Sequence, residues 1–104
     1  MDDEKVSGAP LFSRLYRYAD GQTLIVKIWA PVSTYGLFHC FYQIGDDIVR
    51  RAPGLDEIDA VYTTLQTIQM HLTTLKKTKD SSLRWDKADD EGDLALPAFY
   101  PDLE

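Results

Sequence analysis

Apolar and polar positions follow two different periods along this chain, and the change of period divides it. From residue 11 to residue 52 apolar residues tend to recur at every second position, the spacing of a half-buried β-strand. From residue 55 to residue 77 they recur at spacings of three and four, the signature of one face of a helix.

The alternating region splits into four predicted strands. In LFSRLYRYA, residues 11–19, Phe12, Tyr16 and Tyr18 share one side, and Leu11, Leu15 and Ala19 the other. Asp20-Gly21 follows, a dipeptide that tolerates the positive φ of a two-residue hairpin turn. In TLIVKIWA, residues 23–30, Leu24, Val26 and Ile28 oppose Ile25, Lys27 and Trp29, and Pro31 ends regular pairing because it has no N–H to donate. The segment PVSTYG reads as a loop. LFHCFYQI, residues 37–44, places Phe38, Cys40, Tyr42 and Ile44 on one unbroken apolar face, with His39 and Gln43 opposite. Gly45-Asp46-Asp47 is a turn. IVRRA, residues 48–52, is a short edge strand blunted by two arginines, and Pro53-Gly54 breaks the sheet.

The helical stretch carries Ile58, Val61, Leu65, Ile68, Leu72 and Leu75 as its expected buried stripe. Asp56 is the expected N-cap with Asp59 three positions on, and Lys76, Lys77 and Lys79 complement the negative end of the helix dipole. Its other face is rich in threonine, a poor helix former, so the helix depends on packing rather than propensity. SSLRWD then reads as a short fifth strand, DKADDEGD as an acidic loop, and LALPAFY as an extended segment on the body of the fold. The expected architecture is α+β: an antiparallel meander of four to five strands packed on one long α-helix. Residues 1–9 are expected to be a flexible N-terminus and residues 10–104 a single domain.

Charge changes this picture at one place. The net charge of -6 lies entirely behind the helix: residues 80–104 hold eight acids against Arg84 and Lys87, whereas residues 1–79 are balanced. A surplus of acid disfavours nucleic acid and favours a basic protein partner. No apolar run is long enough to span a membrane and the acidic N-terminus lacks a secretory h-region, so a cytoplasmic protein is expected. One cysteine excludes an intrachain disulfide and every multi-cysteine metal site.

No catalytic kit accompanies that surface. Cys40 sits at an inward position of its strand, His39 points to the opposite face, and His71 lies on the helix without chelating spacing. The acids from Asp86 to Asp93 do not keep the register of a calcium loop, with Glu91 where the glycine belongs. The reading is therefore a protein without catalytic residues, metal or cofactor.

Three pieces, FHCFYQI, GLDEIDAVYTTLQTIQMHL, and LRW with the later GDLALP, together resemble a family of small uncharacterised bacterial proteins. That family shows an aromatic-x-Cys-x-Tyr-x-Ile strand, a Gly-x-Asp-x-x-x-Ala helix start, and a Leu-x-Trp segment before a Gly-Asp-Leu ending with proline. Gly54, Asp56, Ala60, Leu83, Trp85, Gly92, Asp93, Leu94 and Pro97 occupy those places, while Phe38 stands for a tryptophan and Ala95 for a glycine. The resemblance implies a domain of unknown function in a bacterial setting and no chemistry.

Small acidic bacterial proteins of this α+β build often look like immunity proteins of toxin systems, and by that analogy of type the leading expectation is a toxin-neutralising protein. It would occlude a basic groove on the toxin domain through Trp85, Asp86, Asp89, Asp90, Glu91 and Asp93. Two alternatives stand beside it. The aromatic residues Tyr16, Tyr18, Trp29, Tyr35, Phe41, Trp85, Phe99 and Tyr100 exceed what one sheet face can hide, and the surplus could form the interface of a homodimer or other homo-oligomer. A pocket between sheet and helix could hold a small ligand, or a reaction, with His39 or His71 involved.

Overall fold

A computed structural model describes residues 8–90 and 93–96, and is α+β, with six strands in one antiparallel sheet and one long helix. The strands are β1 (Phe12–Arg17), β2 (Thr23–Ile28), β3 (Val32–Thr34), β4 (Leu37–Ile44) and β5 (Arg50–Gly54); α1 (Glu57–Thr78) and β6 (Arg84–Trp85) follow. The expected flexible N-terminus falls largely outside the described residues, as does the end of the LALPAFY segment.

The sheet is wider than the expected meander because the chain uses one edge of β4 twice. β2 pairs with β4 through Val26↔Ile44 and Ile28↔Tyr42, and β3 pairs with it through Val32↔His39 and Thr34↔Leu37. Both must lie on the same edge, since β5 pairs Phe38 and Tyr42 from the other side through Phe38↔Gly54 and Tyr42↔Arg50. Trp29 bridges the break, its N–H donating to the Phe41 carbonyl at 2.9 Å. Pro31 therefore interrupts pairing only locally, and the expected loop after it contains a strand. β1 extends the sheet beyond β2, and β6 pairs with β1 through Tyr16↔Trp85.

The turns redistribute the expected signals. The two-residue hairpin is Tyr35-Gly36, both with positive φ (52° and 83°), between β3 and β4. Asp20-Gly21 turns the chain within a longer loop, closed by the Tyr18 N–H donating to the Gln22 carbonyl and with Gly21 at φ 94°. The fourth predicted strand lies two residues later than expected, at Arg50–Gly54, so Pro53 and Gly54 end the strand rather than break the sheet. Ile48, expected inside it, is exposed.

The helix begins as expected. Asp56 is the N-cap, its carboxylate accepting from the Asp59 N–H at 2.7 Å, and Asp59 in turn accepts from the Leu55 N–H at 2.8 Å. Its buried stripe is rotated from the expected one. Ala60, Thr64, Ile68 and Leu72 are buried, whereas Ile58 is 81% exposed. The reason is close approach. The helix crosses β4 and β5 where they present Cys40, Ala52 and Gly54, and small residues on both sides let the backbones meet. Thr64 is tolerated in this interface because its hydroxyl donates to the Ala60 carbonyl at 2.8 Å and is not left as an unsatisfied donor.

One helix about 10 Å across cannot cover a sheet five strand positions wide at about 4.8 Å each. α1 lies over the β4–β5 half. Beside it, over the β1–β2 half, runs an apolar groove of about 370 Å³ walled by Phe12, Tyr16, Val26, Val61, Leu65 and Leu96.

Candidate functional site

The acidic segment is held by β1, through its backbone, Tyr16 and the two Arg residues of that strand. Beyond the β6 pairing, the Asp86 N–H donates to the Leu15 carbonyl at 3.0 Å, and the Trp85 N–H reaches across the loop to the Asp93 carbonyl at 2.9 Å. Arg17 Nε donates to Asp86 Oδ1 at 2.6 Å as an ion pair. Arg14 lies 4.7 Å over the Trp85 ring, and its Nη1 donates to the Ala95 carbonyl at 2.6 Å. The buried Tyr16 hydroxyl donates to the Leu94 carbonyl at 2.9 Å, fastening the far end of the loop above the core.

Within the described part of the loop, several backbone groups are satisfied locally. The Ala88 N–H donates to the Trp85 carbonyl, Arg84 Nη1 donates to the Ala88 carbonyl at 2.8 Å, and the Asp93 N–H donates to the Asp90 carbonyl. Asp93 Oδ1 accepts from the Ala95 N–H at 2.9 Å.

The six residues singled out from the sequence thus take different places. Asp86 is ion-paired, Asp93 caps its own backbone, and Trp85 is half-buried beneath Arg14 on the helix side of the sheet. Asp89 and Asp90 are exposed, with no cationic partner among the described residues. Glu91 lies outside the described residues. Arg14 and Arg17 were missed as members of this site. The signal was present for Arg14, a cation at an inward position between Phe12 and Tyr16, which demands a specific partner.

Cys40, His39 and His71 are not brought together. Cys40 is fully buried and its thiol donates to the Trp29 carbonyl at 3.3 Å. His39 is on the opposite sheet face. His71 Nε2 lies 3.9 Å from Asp47 Oδ2 at the far end of α1. Neither histidine lines the groove beside the helix. Among the described residues no three His, Cys, Asp or Glu side chains are grouped to hold a metal ion, and no helix is long and apolar enough to cross a membrane.

Burial pushes up the pKa of Tyr16, Tyr18, Cys40 and Tyr42, chiefly by desolvating the ionised form. In the unfolded chain these groups lose protons at ordinary thiol and phenol values, before the folded chain does. Their contribution to stability is therefore intact below that range and lost as pH rises through it. The urea midpoint at about pH 10.5 is expected to fall below that at about pH 8, the interval spanning ordinary Cys and Tyr ionisation. An unchanged midpoint would contradict this burial.

A small α+β domain with one helix on an antiparallel sheet, and a pinned acidic loop at its edge, is the class these features define. The chain belongs to the family described as a domain of unknown function, DUF6968, whose profile matches residues 12–98. No curated protein and no solved structure matches it.

Proposed function

We propose that this is a cytoplasmic bacterial protein-binding domain without enzymatic activity, an immunity protein that neutralises a toxin domain by occluding a basic groove. The observation that carries the reading is the state of the acidic loop. Its ends are tied to β1 by Tyr16, Arg14 and Arg17, while Asp89 and Asp90 stay open to solvent. Carboxylates next to a segment tied down in this way meet a cationic partner with less ordering entropy to lose. Neutralising the pair tests it. D89N/D90N is expected to weaken binding to a cognate toxin domain by about tenfold or more, mainly through slower association at low salt. Equal association rates for the variant and the unaltered protein would sink the reading.

A second reading rests on the groove between α1 and the β1–β2 half of the sheet. About 370 Å³ with apolar walls is the size of a small-molecule site, and among the described residues Arg14 is its one charged lining residue. In that reading the ligand is apolar, with any anionic end toward Arg14.

A further inference from the structure

The solvent face of the sheet carries charge opposite to the chain as a whole. β1 to β5 contain no carboxylate, and on the face turned away from α1 they present Arg17, Lys27 and Arg51. The acid on that side, Asp86, is at the β6 edge and is taken by Arg17. Lys27 and Arg51 have no carboxylate partner among the described residues. A molecule of net charge -6 thus shows a basic sheet.

The cations flank apolar side chains in a defined order. Antiparallel partners share a face, so Phe41↔Arg51 and the Trp29–Phe41 backbone bond set Arg51, Phe41 and Trp29 in one row across β5, β4 and the residue that follows β2. On either side of this row, Val32 and Ile25 are 46% and 45% exposed. Trp29 is fixed by its Nε1–H donating to the Gly8 carbonyl at 3.1 Å, so its ring is positioned before any partner arrives. Among the described residues no helix packs on this face, α1 lying on the other, and the segment at Gly8 meets it at Trp29. Aromatic residues and Arg at the centre of an open surface are the residue types that dominate binding energy in interfaces.

Charge selects the occupant. Two copies of this chain packed face to face would set Lys27 and Arg51 against their own kind, so an isologous self-interface is disfavoured. Too few cations lie here to follow a phosphate backbone, which a net acidic chain also repels. We propose that this face docks a carboxylate-rich polypeptide with aromatic side chains, the acids meeting Lys27 and Arg51 and the rings packing on Phe41 and Trp29. This surface is distinct from the Asp89–Asp90 loop and does not depend on its role.

A labelled random copolymer of glutamate and tyrosine is a suitable probe, followed by fluorescence anisotropy against the full chain at low salt. Binding is expected, weakening as salt is raised. K27E/R51E is expected to weaken it at least tenfold, and F41A to weaken it with less change in salt dependence. D89N/D90N should bind no more weakly than the unaltered protein, which separates this face from the acidic loop. Circular dichroism confirms that each variant is folded. Absence of copolymer binding, or equal binding by folded K27E/R51E, would overturn the proposal. So would tighter binding of an oligo-dT strand or equal binding of polyglutamate lacking tyrosine.

Discussion

Gly54→Ala is expected to destabilise the protein by about 3 kcal/mol, the upper part of the range for overpacking a core. A Cβ at Gly54 would overlap the backbone N and Cα of Ala60 and lie 2.8 Å from the Ala60 Cβ. Its obstacle is helix backbone, so no side chain can rotate away. The first turn of α1 would have to lift from β5, opening the interface where Ala52, Ala60 and Thr64 are packed. Gly54 does not have a positive φ, so the requirement is for space and not for backbone freedom. Thermal unfolding should show the loss as a fall in Tm of about 12 °C or more for a domain of this size. A shift of only a degree or two would mean that strand and helix do not meet as closely as the structure has them.

Leu72→Ala is expected to cost a comparable amount, about 3 kcal/mol, and Ile58→Ala less than about 0.5 kcal/mol. Both residues belong to the apolar stripe by spacing. Leu72 is fully buried, in the same core as Ile68 and Leu83, whereas Ile58 is 81% exposed. Removing the Leu72 side chain leaves a cavity in a region that cannot collapse, because the sheet beneath is fixed by its ladder. Urea denaturation of the two variants measures the difference. Equal costs would place the helix in the rotation suggested by its hydrophobic spacing, with Ile58 and Leu72 alike against the sheet.

That pair marks where the sequence was legible. Hydrophobic spacing identified α1 and its Asp56 cap to within two residues, because the helix period and its capping chemistry are local. It could not set the rotation about the helix axis. The rotation follows from small residues at Cys40, Ala52, Gly54, Ala60 and Thr64 meeting across elements, and a threonine reads as polar until its hydroxyl is seen bonded to the preceding turn. The acidic loop was legible as composition. Its division into tethered Asp86 and Asp93 and open Asp89 and Asp90 was not, because Arg14 and Arg17 come from about 70 to 80 residues away in the chain.

Local patterns determined the α+β class, the division of β1 and β2 into two faces and the inward face of β4, the helix and its N-terminus, and the position of the acidic segment. Side-chain period and end-capping act over a few residues, so they can be read from a line of sequence. Tertiary structure alone decided that β2 and β3 share one edge of β4, that β6 returns to β1, and that a single helix leaves half of one sheet face as a groove. It also decided that the opposite face gathers Lys27 and Arg51 around Phe41 and Trp29. Those outcomes depend on which strand edges pair and how closely two backbones approach, and both are set by contacts between residues far apart in the chain.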